Sequence, residues 1–355
     1  MKIQSNNSGA SVLDNQLLEA FPDPVMLLND KCELIFGNKA SKAMFNIHVG
    51  RNLEESFSEP GLLEAAGMVL DNKNECEIEL SILRPSIIKL KVKVVAITSL
   101  ANYPDAAALI VLRDVSSESI AEKMRRDFVS NVSHELRSPI ASLIGFIETL
   151  QGPAKEDRES QDRFLAIMAS ESQRMARMID DLLSLSRVEA TERIRPQDQV
   201  DVSELMNETE ELLVDRATRR SMDLKFMIAP NLPIISGDRD ELMEVFQNLI
   251  DNAVKYGEEG STINIEANAA DSLPEVGGSG IVITVENKGD GIKAEHIARL
   301  TERFYRIDKG RSRKMGGTGL GLAIVKHIVN RHRGQLLIQS HLNKETTFTV
   351  LLPII

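Results

Sequence analysis

Between residues 129 and 185 the apolar side chains keep a beat of alternating threes and fours. Val129, Val132, Leu136, Pro139, Leu143, Phe146 and Leu150 are spaced 3, 4, 3, 4, 3, 4. After a polar stretch, 152–160, the beat returns as Phe164, Met168, Glu171, Met175, Met178, Leu182 and Leu185, with Glu171 its one polar interruption. A stripe this narrow, with a period near 3.5, marks a helix that packs along a seam with other helices rather than onto a broad core. Two such helices joined by a short loop bury their seams poorly alone. The pattern therefore predicts a hairpin that pairs with a second copy of itself as a dimeric four-helix bundle.

The rest of the chain must supply further domains, because 355 residues correspond to two or three. An apolar content of 42% allows proper cores, and a net charge of −11 argues against a surface built to bind nucleic acid directly. Cys32 and Cys76 are too few for a disulfide framework and are expected to be small core residues in a reducing compartment. Residues 1–10 are polar, with no signal-peptide core, and the most hydrophobic stretch, 94–112, is broken by Tyr103, Pro104 and Asp105. The expected location is cytoplasmic, or membrane-associated if an anchor precedes this chain. Three segments follow: an α+β module over 11–115, the helical hairpin over 116–192, and a mixed α/β domain over 198–355. In the first, Cys76–Leu80, Ile88–Val94 and Leu109–Leu112 read as strands, and Asn38–Phe45 and Leu62–Leu70 as helices. In the last, strands are expected at Thr262–Ala267, Gly280–Asn287, Gln335–Ser340 and Thr346–Leu352.

His134 lies off the seam of the first long helix, so its imidazole should face solvent. A neutral imidazole carries a free nitrogen lone pair near neutral pH, which suits a nucleophile. Glu135 is placed to hold the other ring N–H as a base, and Pro139 should bend the helix just beyond. The remaining histidines, at 48, 296, 327, 332 and 341, lack such surroundings and are read as without a chemical role.

The third segment carries features of a nucleotide site, although neither a P-loop nor a G-x-G-x-x-G turn is present. Asp240–Tyr256 reads as an amphipathic helix with Leu242, Val245, Phe246, Leu249, Ile250 and Ala253 turned inward. Asn248 and Asn252 stand one turn apart on its polar face, next to Lys255, and amide oxygens are hard ligands suited to Mg²⁺. The turn Asn287-Lys-Gly289-Asp-Gly291-Ile292 lets backbone approach a flat ring closely. Arg303–Lys314 holds six cations against one acid, and Gly316–Gly321 then leads into a helix whose N-terminus can face phosphate. A basic, glycine-ended loop of this kind reads as a lid over a polyphosphate.

Five motifs in this order resemble the sensor histidine kinases of two-component systems: His134-Glu135-Leu-Arg-Ser138-Pro, Asn248-Leu-Ile-Asp-Asn252-Ala-Val-Lys255-Tyr256, Asn287-x-Gly289-x-Gly291-Ile292, Arg303-Phe304-Tyr305-Arg306, and Gly317-Thr318-Gly319-Leu320-Gly321. Residues 11–115 more loosely resemble a PAS sensory domain, for which no ligand is legible. The runs Met124–His134 and Val325–Gly334 are similar to the phosphate-regulon type of sensor kinase. The resemblance implies a PAS-like α+β domain, a dimerisation and histidine phosphotransfer hairpin, and an α/β sandwich of the histidine kinase/gyrase/Hsp90 type.

It further implies ATP as substrate, with Asn252 on Mg²⁺, Asn248 and Lys255 near the phosphates and Tyr256 along the base or ribose. Arg306 and Arg311 would reach phosphate from the lid. His134 would attack the γ-phosphorus with Glu135 as base, and the phosphoryl group would pass to an aspartate of a separate response regulator. An ATPase of the same fold without a phosphoenzyme is the alternative. Two departures bear on chemistry. Asn287 stands where the family usually has Asp, so weaker discrimination against GTP is expected. Ser138 replaces a Thr or Asn linked to dephosphorylating the regulator, though its hydroxyl can still orient a water.

Overall fold

The computed structural model describes residues 15–354 except 46, 58, 85, 99, 101, 309 and 311–314. The chain forms two compact units that divide between Val129 and Ser130.

In the first unit, β1 (Val25–Leu28), β2 (Leu34–Gly37), β3 (Cys76–Arg84), β4 (Ser86–Ala96) and β5 (Ala108–Asp114) form one antiparallel sheet in the order β2-β1-β5-β4-β3. Helices α1 (Lys39–Phe45), α2 (Leu53–Ser56) and α3 (Pro60–Asn72) lie between β2 and β3 in the chain. The alternation in β4 sorts its faces: Leu90, Val92 and Val94 are buried, while Lys91 and Lys93 pair across the outer face with Glu77 at 2.5 Å and Glu75 at 2.9 Å. The inner face packs with Leu62, Ala65, Ala66 and Val69 of α3. That helix starts on Pro60 and stops where Lys73 turns left-handed. Buried Asn38 ties the sheet to α1, accepting from the backbone N–H of Val25 at 3.1 Å and of Ser41 at 2.9 Å. Both cysteines are free and half-buried.

Two long helices, α4 (Ser116–Gln151) and α5 (Arg158–Thr191), make the hairpin. Helix α4 continues through Pro139. Asp157 caps α5, accepting from the Ser160 N–H at 3.2 Å. Phe146 stacks on Phe164 with centroids 5.4 Å apart, and Met178 and Leu185 are buried. Most of the predicted seam on α4 is only half-buried within one chain, and Val129 remains exposed.

The C-terminal domain is a mixed sheet covered by helices. Strands β7 (Asp223–Ile228), β9 (Thr262–Ala270), β10 (Gly280–Lys288), β11 (Gln335–His341) and β12 (Glu345–Pro353) run in the order β11-β12-β10-β9-β7, with only the β7–β9 pair parallel. A two-stranded ribbon, β6 (Asp198–Val200) and β8 (Ile235–Gly237), stands beside it. Helices α6 (Val202–Thr218), α7 (Arg239–Tyr256) and α9 (Gly321–Arg331) pack together and on the sheet; α8 (Ala294–Ile297) is a single turn. The six residues of α7 predicted to face inward are all fully buried. Burying a large apolar side chain is worth roughly 1.5–3 kcal/mol, so this face fixes the helix and presents its opposite, polar face outward.

Candidate functional site

The polar face of α7 forms one wall of a cavity of about 520 Å³. Asp238 starts the helix by accepting from the N–H groups of Asp240 and Glu241, both at 3.1 Å. From there Asn248, Asn252, Lys255 and Tyr256 reach the cavity. The end of β10 supplies Asn287 and the turn after it Gly291 and Ile292; the segment before α9 supplies Tyr305, Arg306, Gly317, Thr318 and Gly319, and α9 begins on Gly321. Gly289, Phe304 and Leu320 support this wall from behind. A Cβ on Gly289 would stand 2.9 Å from the Tyr256 carbonyl oxygen, the Phe304 N–H donates to the Gly319 carbonyl at 2.8 Å, and Leu320 is fully buried. Arg311 lies outside the described residues.

Close approach explains two glycines. At Gly321 a Cβ would fall 2.5 Å from Asn248 Oδ1, so the asparagine amide and the start of α9 share one space. Gly319 sits at φ +77°, folding the loop back against Phe304. The N-cap residue of α9, Leu320, gives no side-chain cap, so the first N–H groups of that helix depend on other partners.

The charges in the cavity are mutually engaged. Lys255 Nζ lies 2.6 Å from Asp251 Oδ2, and Arg216 holds the other oxygen at 2.6 Å. Asn248 Nδ2 donates to the Glu244 carbonyl at 3.0 Å, and buried Asn287 donates through Nδ2 to the Lys288 carbonyl at 3.2 Å. Tyr305 hydroxyl meets His296 Nδ1 at 2.7 Å, and Arg299 covers its ring.

The hairpin contributes to the same place. Arg177 and Asp181 of α5 line the cavity, and the Thr318 hydroxyl donates to Asp181 Oδ2 at 2.6 Å. One turn on, the Ser184 hydroxyl meets the Glu244 carboxylate at 2.7 Å. Burial holds both acids above the usual carboxylate range.

On α4, His134 and Ser138 are exposed at i and i+4 and so share a face. Glu135 is half-buried, and its Oε2 lies 3.4 Å from Arg306 Nη2 and 3.8 Å from Arg174 Nη1. In this arrangement the carboxylate expected to hold the imidazole is engaged by two guanidinium groups, each only 4% exposed. The physical reason is proximity of buried positive charge: an adjacent exposed imidazole offers Glu135 much less than two desolvated arginines. Arg306 also donates to the Thr318 carbonyl.

Sequence reasoning had no signal for Arg177, Asp181, Glu244, Asp251 or Arg174. Only the docking of distant helices makes the first four of them walls of the cavity and brings Arg174 onto Glu135.

Residues 124–191 match the family model described as the His Kinase A (phospho-acceptor) domain, and residues 237–355 match that of the histidine kinase-, DNA gyrase B- and HSP90-like ATPases. The chain is similar to the sensor-like histidine kinase SenX3 of Mycolicibacterium smegmatis, 34% identical over 298 residues that cover 82% of this chain and 74% of the relative. It is 39% identical to the phosphate regulon sensor protein PhoR of Pseudomonas aeruginosa over 70% of this chain and 54% of the relative. The sensor histidine kinase WalK of Bacillus subtilis is 35% identical over 69% of this chain and 39% of the relative. The chain thus spans about half or less of the length of the last two. In fold, it resembles the histidine kinase ThkA solved in complex with response regulator protein TrrA, with TM-score 0.51 and 19% identity over 95% of this chain and 98% of that one.

Proposed function

Because this chain belongs to the sensor histidine kinases, we propose that it phosphorylates itself on His134 from ATP and passes the phosphoryl group to an aspartate of a separate response regulator. One observation carries the reading: Arg306 lines the nucleotide cavity and also reaches Glu135, the neighbour of His134. The lid and the phosphoacceptor box are therefore within one side chain of each other.

In the proposed reaction a ring nitrogen of His134 attacks the γ-phosphorus, the N–P bond forms, the bond to the β-phosphate oxygen breaks, and ADP leaves. Glu135 must first leave its arginines to take the ring proton. A polyphosphate that draws Arg306 to itself would remove the nearer of these two cations and leave Arg174 at 3.8 Å, so substrate arrival and base activation are linked. Such transfer needs positioning and charge neutralisation above all. Asn248, Asn252 and the lid glycines place the phosphates, while Asn287 and Ile292 flank the base. The residues fit a Mg²⁺ ion: Asn252 lines the cavity beside Asn248, its amide oxygen is a hard ligand, and the ion would neutralise phosphate charge there. Ser138, on the same face as His134, is placed to orient a water when the regulator is dephosphorylated.

The antiparallel five-stranded sheet with helices inserted between β2 and β3 supports a PAS-like sensory role for the N-terminal unit. Similarity to PhoR supports a phosphate-responsive pathway. We place the protein in a homodimer through its hairpin and on the cytoplasmic side of signalling. Among the described residues, no helix is long and apolar enough to cross a membrane.

Incubation with γ-labelled ATP and Mg²⁺ tests the reading. Wild type should acquire an acid-labile, alkali-stable label, and His134→Gln should acquire none. Steady ATP hydrolysis with no such label would show instead an ATPase without a phosphoenzyme.

A further inference from the structure

The nucleotide cavity is closed on one side by a helix of the phosphoacceptor hairpin, and the side chain that makes the contact is an acid. Asp181 of α5 lines the cavity and accepts the Thr318 hydroxyl at 2.6 Å. Thr318 is 8% exposed and stands inside the glycine loop, where its own Oγ1 also receives the Leu320 N–H at 3.3 Å. The carboxylate thus grips the segment that should close on phosphate.

We infer that Asp181 is a positioning residue for the lid: its carboxylate holds Thr318 while the cavity lacks a polyphosphate, and a polyphosphate entering the cavity must displace or neutralise it. The inference rests on the nucleotide reading above and adds a residue from the hairpin to it.

The surrounding charges make the contact responsive rather than merely structural. On its own helix Asp181 faces Arg177, which favours the carboxylate, and Asp180, which opposes it. From α7 come Lys255, already held by Asp251, and Glu244, a second half-buried acid. From the lid comes the Thr318 hydroxyl, whose backbone carbonyl is held by Arg306. Arg177 Nη2 would stand 3.1 Å from a Cβ on Gly316, so a cation and an acid of α5 flank the two ends of the short run 316–318. Burial already disfavours the ionised form of Asp181. Phosphate charge added beside it must disfavour that form further, because like charges in a desolvated space repel strongly. Binding of a polyphosphate is then coupled either to proton uptake by Asp181 or to release of Thr318. A lower pH assists the first route, so nucleotide binding should weaken as pH rises through the ionisation of Asp181.

Calorimetric titration of the full chain with a non-hydrolysable ATP analogue and Mg²⁺ tests this. Asp181→Asn keeps an oxygen acceptor for Thr318 and removes the charge. It should bind the analogue about tenfold more tightly than wild type at pH 8, with a smaller gap at pH 6, where phosphate charge beside Asp181 makes proton uptake easier. The ionisation of the analogue itself is common to both proteins and cancels. If Asp181→Asn fails to fold, Asp181→Ser provides the same neutral comparison. Equal affinities of variant and wild type at both pH values would overturn the inference. Tightening of the same size at both would also overturn it, since that marks a mechanical clasp without a role for charge. Wild type that binds no analogue at either pH would overturn the nucleotide reading as well.

Discussion

Asn287 shows how a single amide can be read only with its neighbours. A neutral amide in place of a carboxylate suggests that base selection is relaxed, because an amide can turn its nitrogen outward as easily as its oxygen. Here the nitrogen donates to the Lys288 carbonyl at 3.2 Å, so turning the group would set two oxygens against each other. In the proposed site the oxygen would be left as acceptor for an exocyclic amine, but without the charge that strengthens such a bond. Asn287→Asp should therefore raise the ratio of ATP to GTP affinity by about tenfold, read by competition with a fluorescent nucleotide. The residue itself was legible in the chain; its tether was not, because the partner is a backbone carbonyl fixed only once β10 has formed. Asp181 was harder still. It falls between the seam positions Met178 and Leu182 on α5, where an acid is the ordinary choice for a solvated face.

Helix α7 stands at the other extreme, since its period, its capping aspartate and its buried face are all local. Its placement against α9 depends on a side chain that the sequence does not mark. His332 is buried; its Nδ1 donates to the Ile328 carbonyl at 2.8 Å, and its Nε2 accepts the Asp238 N–H at 2.9 Å, at the start of α7. The Nε2 bond requires the neutral ring, and burial holds its pKa below the usual histidine value, with Arg331 and Arg195 also opposing protonation while the Ile328 carbonyl and Asp238 favour it. A lowered folded-state pKa means that the contribution is complete above the unfolded value, about 6.5, and is lost as pH falls through the folded value. His332→Leu should cost about 1–3 kcal/mol at pH 8, by orphaning a half-buried N–H, and should flatten the fall in stability between pH 7 and pH 5. Denaturant unfolding of the C-terminal domain at several pH values reads both effects. Strands β1 and β2 were missed for a related reason: four-residue apolar runs have too little length to show a period, and Asn38 gathers them through bonds to distant backbone.

At the scale of the whole molecule, the seam read from the chain and the surface left open in the hairpin are neighbours. Within one chain Phe146 and Phe164 of the predicted seam stack on each other and Met178 and Leu185 are buried, while Ile140, Ile144 and Ile147 on α4 and Leu165, Ile179 and Leu183 on α5 stay 42–56% exposed. A dimeric bundle needs both sets, one for the hairpin and one for its mate. Combining Ile144→Asp with Leu183→Asp should convert the homodimer to a monomer at micromolar concentration, measured by light scattering. A dimer that persists would place the interface elsewhere.

The connection between hairpin and C-terminal domain is short and pinned. Helix α5 ends at Thr191 and β6 begins at Asp198, leaving six residues. Glu192 holds His327 and Asn330 of α9, and the carbonyls of Ile194 and Pro196 are taken by Arg331 and Ser236. Fully extended, such a leash spans roughly 20 Å. A nucleotide-bearing domain on that leash meets its acceptor at a fixed local concentration, however dilute the protein. Its rate should then follow the fraction of time it spends unclasped, and dilution short of dissociating the dimer should leave it unchanged.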